Sequence, residues 1–296
     1  MSAYLNVTND LVFKKIFGHP NLLMSFLNSV LPLENNQQIT RLEYLPCEQV
    51  PALPGLLRRS IVDVKCTDNY QRIFIVEMQI LWTTSFTKRM LFNASQAYVL
   101  QLNEGENYSS LAPVYALGIV NQSFDHRSKA WYHHYAVVSL KKPKRVLEDF
   151  QYIFIELPKF KIESGKHKRL RLLWLRFLRE INENTAVPDS ELLAQPPIAE
   201  AIRLATTAFY SKAELAAYTT ALDRRRYEDA IIADFEKKSQ ENLEKGRAEG
   251  EAKGERQAKY VIARNMLSKL GDADIATLTG LSLKEVIALR QQHLSD

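Results

Sequence analysis

The sequence is poor in what would tie it to an oxidising or a lipid environment. It holds two cysteines, Cys47 and Cys66. They make neither a disulfide framework nor a Cys-x-x-Cys pair, so a reducing cytoplasm is expected. No apolar run reaches the ~18–20 residues of a membrane span, and the start, MSAYLNVTND, lacks the basic and apolar stretches of a signal peptide. The histidines at 19, 126, 133, 134, 167 and 293 show no zinc spacing, and Gly-x-Ser-x-Gly, P-loop and dinucleotide glycine patterns are absent. What is present is an ordinary globular composition, 46% hydrophobic and 25% charged over 296 residues. That is enough to bury a real core in one large domain or two smaller ones.

The formal charge of +5 is unevenly spread. Residues 1–157 carry 15 basic and 13 acidic side chains, and residues 158–180 carry 8 and 2. Residues 181–235 carry 5 and 9, and residues 236–296 carry 11 and 10. One short segment supplies the basic bias. It allows nucleic acid as a partner without establishing it.

Val12, Phe13, Ile16 and Phe17 fall with helical spacing. Thr8, Asn9 or Asp10 can cap that helix, and Gly18 with Pro20 stops it. A second helix fits 22–31. Residues 43–57, rich in proline, read as loop or edge. Residues 60–66 predict one strand, 67–70 a turn and 71–80 the next strand, with a helix following over 86–102. Further strands are expected at 114–121, 132–138 and 152–157. Residues 170–235 read as helical, around a proline-bearing link at 182–197. Gly246, Gly250 and Gly254 lie in a charged stretch. Each costs a helix about 1 kcal/mol relative to alanine, so a solvated, fraying helix or tether is expected there.

Strand side chains alternate faces. Ile61, Asp63 and Lys65 share one face of the first strand; Ile73, Ile75, Glu77 and Gln79 share one face of the second. Their neighbours are apolar on both faces, the mark of strands covered on two sides. An unpaired buried carboxylate is costly, so Asp63 and Glu77 need a cation, a hydrogen-bond network or a raised pKa. Two carboxylates on neighbouring strands make a hard oxygen site suited to Mg²⁺ or Mn²⁺. A structural ion pair of Lys65 with Asp63 or Glu77 is the other reading.

These residues carry a resemblance. Asn9-Asp10-Leu-Val-Phe-Lys-Lys-Ile-Phe-Gly18 forms its first part. Ile61-Val-Asp63-Val-Lys65 with Phe74-Ile-Val-Glu77-Met-Gln79 is the second, and Lys88-Arg89 through Tyr98 to Pro113-Val-Tyr-Ala-Leu-Gly-Ile the third. Together, over about residues 7–160, they resemble the PD-(D/E)XK nuclease superfamily, and within it the bacterial recombination-promoting nucleases and transposases. The resemblance implies a restriction-endonuclease-like α/β fold, a mixed sheet flanked by helices, here with an all-α C-terminal extension. It also implies metal-dependent endonucleolytic cleavage of DNA, with Asp63 and Glu77 as ligands of Mg²⁺ or Mn²⁺ and Asp10 as a further acid. Gln79 stands where the superfamily usually has lysine. An amide carries no charge, and Lys65 is the candidate substitute. A degenerate DNA-binding or assembly protein of transposase origin is the alternative.

The division expected is 1–157 nuclease-like, 158–235 helical extension, 236–260 charged tether and 261–296 helix-turn-helix-like tail. Lys88 and Arg89 can face phosphate or solvent. So can Lys166, Lys168, Arg169 and Arg171, which crowd an apolar stripe of Leu170, Leu173, Trp174, Phe177 and Leu178. In the tail Gly280 suits a turn, Ser282 and Glu285 make a capping box, and Lys284 is exposed. This tail can read DNA or join copies of the chain into a homo-oligomer.

Overall fold

A computed structural model of the chain describes residues 3–49, 60–80, 82–103, 105–161 and 169–293. The chain divides into two units, Met1–Thr219 and Thr220–Asp296.

The first unit opens with two helices. α1 (Asp10–Phe17) buries Val12, Phe13, Ile16 and Phe17, the positions that its spacing predicts. Its cap is Asn9, whose side chain accepts the Leu11 N–H at 3.0 Å. Asp10 is therefore not the cap and stands in the first turn. α2 (Pro20–Val30) starts on a proline, whose missing N–H has no intrahelical partner to lose.

The strands, in chain order, are β1 (Leu42–Tyr44), β2 (Glu48–Gln49), β3 (Ser60–Ile61), β4 (Val64–Asp68), β5 (Ile73–Gln79), β6 (Val114–Val120), β7 (Tyr132–Ser139) and β8 (Lys142–Glu156). Six form one mixed sheet in the order β1-β4-β5-β6-β8-β7, while β2 and β3 pair separately. β5, β6 and β8 run parallel; β1, β4 and β7 are antiparallel to their neighbours. α3 (Thr84–Val99) covers the face that carries Ile73, Ile75, Val114 and Ala116, packing Phe86, Met90, Ala94 and Ala97 onto it. This is the mixed sheet flanked by helices that the sequence predicts.

α4 (Arg169–Glu180), α5 (Ser190–Leu193) and α6 (Pro196–Leu204) follow, and α4 and α6 pack against α2. Trp174 is fully buried between Phe17 and Phe26, and its indole N–H donates to Ser25 Oγ at 3.1 Å. α7 (Lys212–Met266) is one helix of 55 residues. It takes in the glycine-bearing stretch, where no described atom lies within 4 Å of a Cβ built on Gly246, Gly250 or Gly254. The second unit ends in α8 (Asp272–Thr279) and α9 (Leu283–His293), closed over Ala263, Leu267, Ile275, Leu281 and Val286. Gly280 takes φ 69° between them, the left-handed turn that glycine suits. The predicted capping box is formed: Glu285 accepts the Ser282 N–H at 2.9 Å and Ser282 Oγ accepts the Glu285 N–H at 3.3 Å.

Two strand expectations change. Residues 60–66 are not one strand. The Val62 N–H turns to the Cys47 carbonyl at 3.1 Å, so β3 leaves with β2, and β4 joins the main sheet only from Val64. The stretch over 43–57, read as loop or edge, holds β2 and most of β1, an edge strand of the main sheet; residues 50–59 lie outside the described ones. β8 starts at Lys142 rather than 152, because its first half is charged, contains Pro143 and is exposed on both faces, leaving no alternation to read. The helix expected over 86–102 is α3, two residues earlier at its start.

Candidate active site

The break at Asp63 creates the site. A continued strand would have paired with β5 beyond Val76; instead the Asp63 carboxylate takes the Met78 N–H at 2.8 Å. Its other oxygen lies 3.3 Å from Lys14 Nζ, and Lys14 also holds Asp10 at 2.7 Å. Asp10, Lys14 and Asp63 thus meet where α1 reaches the end of β4. Burial raises the Asp63 pKa; the Met78 N–H and Lys14 oppose this, and the neighbouring Asp10 adds to it. Burial alone would lower the Lys14 pKa, but its hydrogen bond to Asp10 and the Asp63 and Asp10 charges hold it above the ordinary lysine value.

Glu77 lies on β5, only 4% exposed, on the face covered by α3. Asn93 of α3 donates to its Oε1 at 2.9 Å and Arg89 of α3 to its Oε2 at 3.2 Å. Those two bonds do not offset burial and the nearby Asp63 charge, which push the Glu77 pKa up to about 7. Arg89 donates also to Gln79 Oε1 at 2.6 Å. The register places Gly118 beside Glu77, where a Cβ would meet Phe154 and Phe86 at 3.0 and 3.1 Å. Glycine there lets the Phe86 and Phe154 rings pack onto β6 beside the Glu77 row.

Sequence reasoning missed three members of this network. Lys14 is one; its i,i+4 spacing from Asp10 was the available signal. Asn93 and Gln49 are the others, both buried: Gln49 donates to the Asn93 carbonyl at 3.2 Å and Ser60 Oγ to Asn93 Oδ1 at 2.6 Å. The alternative reading, an ion pair of Lys65 with Asp63 or Glu77, is not formed. Lys65 Nζ instead donates to Gln49 Oε1 at 3.3 Å and lines a cleft of about 530 Å³ with Leu45, Thr67 and Gln101. Burial lowers its pKa.

The remaining candidate residues stand apart. Lys88 is exposed on α3. Arg169 pairs with Glu191 at 3.3 Å, and Arg171 donates to the Ser29 carbonyl at 2.7 Å while lying over the Tyr132 ring. Lys166 and Lys168 fall outside the described residues. Lys284 is exposed in the second unit.

The donor set is hard oxygen, and the raised Glu77 pKa marks a position that a cation would relieve. Among the described residues no three Asp, Glu, His or Cys side chains converge on one ion position. Two carboxylates completed by water fit Mg²⁺, which keeps several of its waters.

A family model described as PD-(D/E)XK nuclease family transposase matches residues 7–234. The chain belongs to this family. No curated protein and no solved structure matches it. The family match runs from before α1 into α7, so it takes in both Asp63 and Glu77 and the helices α4–α6. As a PD-(D/E)XK chain it departs from the usual pattern at Gln79, and the structure puts a cation at that amide from α3, through Arg89, rather than from β4 through Lys65.

Proposed function

We propose that the chain is a divalent-metal-dependent DNA endonuclease whose reaction centre is Asp63, Glu77 and Gln79. The observation that carries this reading is the pairing of a buried, undercompensated Glu77 with Asp63 at a broken strand, within a chain of the PD-(D/E)XK nuclease family. Asp63 and Glu77 would hold Mg²⁺ or Mn²⁺. Bound there, the ion would acidify a water and offset charge on the phosphoryl transition state. The protein's own groups do the rest. The Met78 N–H fixes the Asp63 carboxylate, and Asn93 fixes Glu77. Arg89 brings to the Gln79 position the positive charge that the usual lysine supplies, and suits the phosphate as a fixed fork of donors. An arginine cannot take a proton from water at neutral pH, so Arg89 supplies charge and orientation and not a general base. Asp10 holds Lys14 against Asp63.

The test is cleavage of plasmid DNA by the full chain with Mg²⁺ or Mn²⁺. Asp63→Ala and Glu77→Ala should each abolish cutting while circular dichroism shows the fold retained. Equal cutting by both variants overturns the assignment. Gln79 favours a second reading, a degenerate DNA-binding relative. Salt-dependent DNA binding without any metal-stimulated cutting would support it. Association with recombination or mobile elements and a cytoplasmic location accord with the family.

A further inference from the structure

The most exposed strand segment of the first unit lies outside the site described above. Past the edge of β6, β7 and β8 continue alone as a two-stranded ribbon. Val114, the first residue of β6, pairs with Phe150, so among the described residues no third strand lies beside 142–149. Val137, Val138, Leu140, Val146 and Leu147 are 39–93% exposed on it. A two-stranded ribbon is marginal alone in water, and apolar residues bared on both its faces call for a partner. The ribbon is also bent. Its register shifts between Ala136 and Val137 and again between Val138 and Ser139, and three residues of β8, Pro143, Lys144 and Arg145, stand between the pairs Ser139↔Lys142 and Val138↔Val146. Such bulges re-aim a strand.

The tip supplies the chemistry. Residues 138–147 carry Lys141, Lys142, Lys144 and Arg145 and no acidic side chain. All four cations are exposed. Arg169, Arg171 and Arg176 of α4 are, by contrast, engaged by Glu191, the Ser29 carbonyl, Glu180 and Asp189. The segment with the larger formal charge has committed those cations to the fold, and the ribbon has kept its own.

We propose that the β7–β8 ribbon is an arm that grips double-stranded DNA, laying its cations on the phosphates with its apolar side chains in a groove. A major groove admits a two-stranded ribbon of this kind. The inference rests on the reading of DNA as the substrate.

Anisotropy of a labelled 30-base-pair duplex, titrated with the full chain in EDTA over a series of salt concentrations, tests it. The variant replaces Lys141, Lys142, Lys144 and Arg145 with alanine. All four are exposed, so thermal unfolding should match the wild type. Its affinity near 0.15 M salt should fall at least about tenfold, and the log–log salt slope should become shallower by roughly three to four. An unchanged affinity and slope overturn the arm even if the chain cuts DNA with metal. Weakened binding in the variant supports the arm even if the wild type proves unable to cut. Absence of DNA binding by the wild type overturns it, as does arm-dependent binding to phosphatidylserine vesicles in place of DNA.

Discussion

Glu77 and Glu156 lie on the same face of one sheet, both nearly inaccessible to water, yet the fold treats them differently. Glu156 is surrounded by donors: Lys159 at 2.8 Å, His133 at 2.7 Å and the Phe124 N–H at 2.9 Å. Glu77 has one amide and an arginine that is 46% exposed at its side chain, and it shares its neighbourhood with Asp63. A carboxylate that serves structure is given its cation by the chain. A carboxylate left short beside another carboxylate is positioned for a cation from outside. The difference separates the two roles better than burial does.

Activity should divide the pair most widely. Glu77→Gln should lower metal-stimulated cutting by on the order of 10³-fold or more, while Glu156→Gln should leave the folded protein's cutting within a few-fold. Loss of cutting by both, with both folded, would erase the distinction. Stability should divide them in the opposite sense. Glu156→Ala strands the Lys159 ammonium against a buried wall and should cost about 3–5 kcal/mol in urea unfolding.

Glu77→Gln should stabilise the metal-free protein at pH 8. The Glu77 pKa is raised from 4.5 to about 7 in the fold, so the neutral acid is the form that the fold favours. Its contribution is present in full below about pH 4.5, is lost as pH rises through about 7, and leaves a deficit on the order of 3 kcal/mol above that. Melting temperature against pH should fall across this window in the wild type and less in Glu77→Gln, and Mg²⁺ should restore it. The smallest effect is expected of Arg89→Ala. An ion pair with a half-exposed arginine is worth under about 1 kcal/mol, so stability should barely move, whereas Lys159→Ala should be several times more costly.

The parts of this arrangement that were legible in the sequence are those that interrupt a pattern. Asp63 and Glu77 stand out because apolar strand residues surround them, and the Ser282–Glu285 box because its spacing is fixed by the geometry of a helix start. Asn93 and Gln49 carry no such contrast. A single amide on a helix or in a short strand marks no pattern, and only the packing of α3 onto β5 and of β2 beside α3 reveals that both are buried. Lys14 lies on the mostly solvated side of α1, and its approach to Asp63 depends on how α1 docks on the sheet. The first half of β8 escaped because strand periodicity is written by a buried face, and this segment has none. The partners of the α4 cations were hidden for a related reason: formal charge is visible in a sequence, but the pairing of Arg169 with Glu191 and of Arg176 with Glu180 and Asp189 is not.

The measurement that bears most directly on the central claim is titration of the metal-free full chain with Mn²⁺ at pH 8, read by calorimetry, for the wild type, Asp63→Asn, Glu77→Gln and Glu156→Gln. The account predicts a site present in the wild type and in Glu156→Gln and lost in Asp63→Asn and Glu77→Gln. Binding of Mn²⁺ by Glu77→Gln as tight as by the wild type, or no binding by the wild type, would contradict it.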